Sequence, residues 1–371
     1  SAEINLVGSY CGDGANDTSD GEECDDTTNG GDNHYCDADC TIKDNFVSIW
    51  DITDDDKTLD LPLPQTVTSY QTDGSCNTSS SSQALSYNFI VDWGDNTTSE
   101  VTSFDDPDKT HNYDVAGEYT VKITGTMEGI SFDGTYDTGV KDVEDRLLSI
   151  PNLGNVGWKS FDKAFKACES LELVRGGNTS SVLNMYQMFW QSKLATPETS
   201  SWDTSSVTTM NQTFLGALEV NPDTSNWNTE NVTNMTYMFA FARDAQMVVS
   251  SWDVSKVTNI SYMFYRAKLG VVDEIVKGVT VGADFDRVPN YAEINNSFSN
   301  WNTSCVNTMD SMFRESVIDP NTTDWDTSNV TTLKLIFYQN NFADPDVADW
   351  ITSEVTNMYR IFYQAEEANP D

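Results

Sequence analysis

The sequence predicts a mostly β fold with short helical turns, in which a small disulfide-held module and a β-sandwich precede a long repeat solenoid. Three observations carry this expectation. Cysteines crowd a stretch that is almost free of aliphatic side chains, over residues 1–44. Period-two segments separated by turn signals fill residues 45–133, and a pattern of about 25 residues then recurs through residues 134–371.

Length and composition set the frame. A chain of 371 residues has material for two or three domains with buried cores. Its ten Trp, fifteen Tyr and seventeen Phe exclude the aromatic-poor composition that stays unfolded under a high net charge. Fifty-nine acidic against twenty basic residues give a net charge of −39, which repels phosphate backbones and anionic lipid headgroups, so neither nucleic acid nor a membrane surface is an expected partner. Such a charge suits plain solvation, or a surface that collects divalent cations. No apolar run approaches the ~20 residues that span a bilayer, so membrane insertion is not expected. The chain opens on Ser1 with no apolar signal core behind it, and reads as a processed form or one lacking its targeting segment.

The first module, CGDGANDTSDGEECDDTTNGGDNHYCDADC, cannot build a hydrophobic core, so covalent or ionic links must hold it. Cys11, Cys24, Cys36 and Cys40 supply two disulfides in an oxidising, extracellular compartment. Zinc is the rival reading, but paired C-x-x-C knuckles are missing and the surroundings are acidic. Asp13, Asp20, Glu22, Asp25, Asp26 and Asp32 are hard oxygen donors in a Gly-rich loop and could hold calcium, though not with EF-hand spacing; free surface acids are the other reading. The arrangement resembles a short cysteine-rich repeat of secreted bacterial and protist proteins.

In the second region Ser86–Trp93 (SYNFIVDW) runs into the turn GDN, and Glu118–Ile123 (EYTVKI) alternates behind VAG, as the strands of a small β-sandwich do. The stretches VDWGDNTT and THNYDVAGEYTVKITG resemble a polycystic-kidney-disease-type (PKD-like) domain. In that pattern His111 is structural.

In the third region Trp recurs at 202, 227, 252, 301, 325 and 350, with gaps of 25, 25, 49, 24 and 25 residues. Five residues on stands Val207, Val232, Val257, Val306, Val330 or Val355; three further, Met210, Met235, Ile260, Met309, Leu333 or Met358; four further, always Phe, at 214, 239, 264, 313, 337 and 362. Val182, Met185 and Phe189 form an earlier copy without its Trp, and Trp158, Phe161 and Phe165 a degenerate one. A slot three residues past Phe is small (Cys168, Ser192, Ala217, Ala242, Ala267, Ser316, Ala365) except at Asn340. Each copy is thus one coil that buries its apolar slots against the coils above and below. The Val-to-Met-to-Phe spacing predicts one helical turn per coil. The long gap holds residues 268–297, either a degenerate coil or an insertion from one face. The whole pattern, LLSIPNLG followed by copies of WDTSxVTxMxxxF, resembles the BspA-like leucine-rich-repeat surface proteins. That resemblance implies a leucine-rich-repeat-like solenoid, secretion or surface display, adhesive and structural roles, and no catalytic residues.

Chemistry of other kinds is not marked. With His34 and His111 alone, histidine triads and multi-histidine metal sites are nearly excluded, and no phosphate loop or nucleophile elbow occurs. No carboxylate pair stands out as a glycosidase would need. The chain is therefore expected to be no enzyme and to need no cofactor, Ca²⁺ aside. Two threonine rows are predicted instead: Thr204, Thr229, Thr303, Thr327 and Thr352 in one slot, and Thr208, Thr233, Thr258, Thr331 and Thr356 in another. Such rows either dock flat repetitive ligands, glycan arrays or ice among them, or satisfy backbone groups in turns. Glycosylation sequons stand at Asn16, Asn77, Asn96, Asn178, Asn211, Asn231, Asn234, Asn259, Asn295, Asn302, Asn321 and Asn329. Cys76 and Cys305, the latter in an accessible loop slot, could bridge domains or subunits. The last coil lacks a cap, so another copy of the chain is an expected partner, head-to-tail or lateral, building an extracellular filament or layer. A monomeric adhesin for glycans or surface proteins is the alternative, and a carbohydrate-active enzyme or ice-binding protein a more distant one.

Overall fold

The computed structural model describes residues 45–132, 143–242, 248–267, 298–366 and 368. The cysteine-rich module, with its four cysteines, six acidic residues, His34 and Asn16, lies outside the described residues, as do Asn295 and the boundary at 133–134. What is described is mostly β with short turns.

The first strand is central because nearly all of it is apolar or small. Phe46–Ile52 (β1, FVSIWDI) buries Phe46, Val47, Trp50 and Ile52. It pairs antiparallel with Gly117–Met127 (β8) on one side and with Leu147–Asn152 (β9) on the other. Beyond β8 come Tyr87–Asp92 (β5) and Thr98–Val101 (β6), and beyond β9 the parallel strands Leu173–Val174 (β10) and Thr196–Pro197 (β11). The sheet order is β11-β10-β9-β1-β8-β5-β6, so one sheet runs from the N-terminal strands into the first coils. Thr58–Asp60 (β2) pairs with Thr110–Asn112 (β7), and Thr66–Thr72 (β3) forms a hairpin with Thr78–Ala84 (β4).

The turn after β5 is held by aromatic and ionic contacts together. Buried Trp93 stacks on His111 with ring centroids 4.9 Å apart, and the Tyr113 hydroxyl donates to Trp93 O at 3.0 Å. His111 Nε2 sits 2.8 Å from Asp95 Oδ2, so this histidine is a structural residue. Gly94 takes φ +83°, and a Cβ there would lie 2.6 Å from Thr120 O, which no side chain could relieve.

In the solenoid each coil bonds its neighbours in parallel, through bridges such as Ser160 with Asn184 and Asn184 with Thr209. Among the described residues of the coils the predicted helical turn is absent. Over Met185–Ser192 the N–H groups of Met188, Trp190 and Ser192 donate three residues back, to the carbonyls of Met185, Gln187 and Phe189. The alternating N–H groups of Met185, Gln187, Phe189 and Gln191 donate to the next coil, at Thr209, Asn211, Thr213 and Leu215, over 2.8–3.1 Å. Half the donors are thus committed between coils and cannot close a helix. Left-handed residues, Gln187 (φ 54°) and Gln191 (φ 61°), turn the chain at the same two slots in coil after coil, as at Tyr237 and Phe241 or Tyr262 and Arg266. Each costs on the order of 1 kcal/mol for a non-glycine residue, and the intercoil bonds offset it.

Side chains stack in the same register. Phenylalanines 165, 189, 214, 239, 264, 313, 337 and 362 form one column with centroids 5.3–6.1 Å apart. Trp227 stacks on Trp252, and Trp301, Trp325 and Trp350 continue in the same way at 6.3–6.4 Å. Asn340, the exception in the small slot, is fully buried because its amide donates to Phe313 O, Ser316 Oγ and Ile318 O while its Oδ1 accepts from Phe342 N and Ala343 N. Phe264 lies directly on Phe313, and Ile260 N donates to Thr308 O. The coils flanking residues 268–297 therefore touch each other, and the long gap is an insertion between stacked coils.

The N-terminal sheet caps the first coil. Phe46 meets Trp158 edge-on at 5.5 Å, and Lys159 N and Ser160 N both donate to Glu128 O. Phe239→Ala, in mid-stack, is expected to cost about 3–5 kcal/mol, and Phe362→Ala, half-buried in the last described coil, clearly less. Chemical denaturation of both variants checks the ranking.

Candidate interaction surface

The first threonine row faces inward. Thr204 Oγ1 donates to Asn228 O, Thr229 to Asp253 O, Thr303 to Asp326 O and Thr327 to Ile351 O, all over 2.9–3.0 Å. Thr179 extends the row by one coil, and Thr199, Thr224 and Thr322 do the same from a neighbouring slot. A hydroxyl of one coil thus satisfies a carbonyl of the next. Thr352, with no following coil among the described residues, is exposed.

The second row lies on the outside, and the chain itself occupies part of it. The β3–β4 hairpin runs along the solenoid axis over the row. Asn184 Nδ2 donates to Thr68 O at 2.9 Å; Tyr70 N donates to Thr208 Oγ1 at 3.0 Å; the hydroxyls of Thr78 and Thr258 lie 3.4 Å apart. At the hairpin tip Cys76 is disulfide-bonded to Cys305, 229 residues away in sequence. Cys305 is therefore buried under the tip and not accessible as its loop slot suggested. Thr208 and Thr233 are covered, at 7% and 1% exposure, whereas Asn307, Thr331 and Thr356 continue the row in the open.

Carboxylates at one corner are held by the local backbone. Asp203 accepts from Ser205 N at 2.9 Å, Asp223 from Ser225 N at 3.0 Å and Asp326 from Ser328 N at 2.9 Å. Hydrogen bonds from the serine hydroxyl and amide hold all three below the ordinary carboxylate value. Asn228 and Asn302 make the same turn without a charge. Burial would raise Asp95, but hydrogen bonds from Thr97 and His111 outweigh it. Tyr237 is pushed up to about 12 by burial and by Tyr262, whose ring stacks on it at 4.4 Å. Cys168 is fully buried and burial drives its thiol well up, the state of a packing residue. Among the described residues no group of three His, Cys, Asp or Glu side chains could hold a metal.

Of the sequons, Asn77, Asn96, Asn178, Asn302 and Asn329 are exposed, and Asn211, Asn231, Asn234, Asn259 and Asn321 partly so. Asn231 and Asn329 donate Nδ2 to Ser205 O and Ser304 O, and Asn234 and Asn259 accept from Thr236 N and Ser261 N. Several sequons thus recur because the coil uses the asparagine itself. The covering hairpin is the element of this surface that sequence reasoning missed. Its signal was the lone pair Cys76 and Cys305 flanked by the uncharged run TSSSS from Thr78.

The model of a family described as Mycoplasma protein of unknown function, DUF285, matches residues 159–273 and 284–371, more than half of the chain. The chain belongs to this family. Its repeats are BspA-like surface repeats, and the break in the DUF285 match falls inside the 268–297 insertion. Comparison with curated proteins and with solved structures gives no match. Among the described residues no helix is long and apolar enough to cross a membrane.

Two outcomes follow for this DUF285 solenoid. Thr229→Val removes a buried hydroxyl and leaves the Asp253 carbonyl without its donor; it is expected to cost about 1–3 kcal/mol, against a few tenths for exposed Thr331→Val, by denaturation midpoint. The depressed carboxyls of Asp203, Asp223 and Asp326 contribute stability above their ordinary value of 3.8, and lose it as pH falls through their lower folded values. The triple Asp→Asn variant should accordingly lose less Tm than the parent between about pH 5 and pH 2, where carboxylates titrate.

Proposed function

We propose that this protein is a non-enzymatic structural component of an extracellular or cell-surface layer, secreted and displayed, whose solenoid serves as a rod that joins to further copies of itself. The observation that carries the reading is the register of the described stack, in which every coil presents the next with the same backbone row and the same aromatic column. The first coil packs on the N-terminal sheet through Phe46, Trp158 and Glu128. The last described coil keeps that register. Its carbonyls at Asn357, Tyr359, Ile361 and Tyr363 are taken by the coil before, while the forward-facing donors of Met358, Arg360, Phe362 and Gln364 meet no further coil among the described residues. The Met slot, buried at Met210, Met235 and Met309, is 44% exposed at Met358. A second copy placed there would continue the register, and a head-to-tail contact of this kind propagates without closing.

A non-enzymatic role is supported by the state of the shifted groups. Asp95, Asp203, Asp223 and Asp326 are engaged in turn hydrogen bonds, and His111 is clamped between Trp93 and Asp95. Membership of a surface-repeat family supports display outside the cell. The open positions Asn307, Thr331 and Thr356 favour a second reading, a monomeric adhesin for glycans or surface proteins. N-glycans on the exposed sequons and calcium in the acidic module accompany either reading.

Electron microscopy of the native material separates the two. Regular fibres or sheets are expected, and isolated rods would leave adhesion in front. Met358→Glu should abolish assembly while moving monomer stability by no more than about 0.5 kcal/mol, as exposed substitutions do.

A further inference from the structure

The β3–β4 hairpin meets the stack through scattered hydrogen bonds and one covalent bond. All seven residues of β4 are exposed, and of β3 only Val67 is buried. Its contacts with the outer face of the coils are polar: Asn184 to Thr68 O, Tyr70 N to Thr208 Oγ1, and the Thr78 and Thr258 hydroxyls. A two-stranded ribbon without an apolar face is marginal in water, so these contacts do not order it unaided. Cys76–Cys305 closes the tip onto the coil that follows the 268–297 insertion, at a Cα separation of 5.1 Å. Beneath the hairpin lie Thr208, Thr233 and Thr258, and past its tip Asn307, Thr331 and Thr356 extend the same row.

We propose that β3–β4 is a disulfide-latched cover over the outer threonine row, and that cleavage of Cys76–Cys305 releases it while the solenoid stays folded. Closed, the row offers three positions. Open, it offers six hydroxyl or amide groups in line at roughly the interstrand spacing of 4.8 Å, a surface for a flat, repetitive, hydrogen-bonding ligand such as a glycan array. The coils do not depend on the cover, because Thr208, Thr233, Thr258, Asn307, Thr331 and Thr356 donate their backbone N–H groups to one another down the row, beginning at Leu183 O.

The opening step needs a dithiol reductant. One of its thiolates attacks Cys76 Sγ, which is half-buried at a tip whose Asp73, Gly74 and Ser75 are exposed. The Cys305 sulfur leaves as thiolate and takes a proton. The reductant's second thiol then resolves the mixed disulfide, freeing Cys76 as a thiol, so the protein gains two electrons and two protons and the dithiol becomes a disulfide.

Cys305→Ser tests the latch without touching the cysteines of the first module, and serine is native to this slot at Ser206. Hydrogen exchange of the full chain would be followed by mass spectrometry, in the parent and in the variant. Amides of residues 66–84 are expected to exchange at least about tenfold faster in the variant, with those of Phe189, Phe214, Phe239 and Phe264 unchanged. Unchanged protection of the hairpin overturns the proposal, because its own contacts would then suffice. Faster exchange through the coils as well also overturns it, because the disulfide would then be holding the stack together.

Discussion

Register between coils is the constraint on which the rest of this molecule depends. A single coil buries no core of its own; it becomes stable when its alternate N–H groups meet the carbonyls of the next coil and its Phe ring meets the next Phe ring. Both conditions are satisfied by the same displacement along the axis. A slip of one slot would break the backbone row and the aromatic column together. This is why the left-handed positions recur at fixed slots even where the side chain is Tyr, Phe, Arg or Leu, all poor residues for that conformation.

The threonines follow from this constraint. Where the chain turns between its extended and its tightly turned parts, a carbonyl of the next coil is left without a backbone donor, and a β-branched hydroxyl of fixed rotamer reaches it. The recurring Asp-Ser and Asn-Thr corners are a parallel device. There a side-chain acceptor satisfies an amide two residues on, and the charge is dispensable. A strongly acidic composition is therefore partly a by-product of turn chemistry. Mutating those corners tests the acid stability of the fold rather than a binding site.

The architecture was legible wherever periodicity carried it. Trp, Val, Met and Phe at fixed spacing could only mean stacked coils, and the alternation of SYNFIVDW and EYTVKI could only mean strands. The helical turn was misread for a definite reason. Apolar residues three and four apart fit a helix on one chain, but here the intervening donors belong to the neighbouring coil, and a sequence carries no mark of which chain segment takes a hydrogen bond. Asn340 stood out only as the exception in the small slot and is a fully satisfied buried amide. The sequence could not say whether residues 268–297 formed a coil; the direct stacking of Phe264 on Phe313 decides it.

The hairpin was illegible for another reason: it lies on the solenoid through isolated polar contacts between residues more than a hundred positions apart, which leave no periodic trace. Yet its placement is a consequence of the repeat. A straight row of identical slots offers an extended strand a matching line of donors and acceptors, and the rise of one coil is close to the spacing between strands. The same geometry that lets coils stack indefinitely lets an extended segment lie along them. The coils therefore carry two chemically different faces: the end-on face, apolar and register-bound around Met358 and Phe362, and the lateral row, polar and less demanding of sequence. The end-on face takes only a surface in the same register, whereas the lateral row takes any flat array of hydrogen-bonding groups.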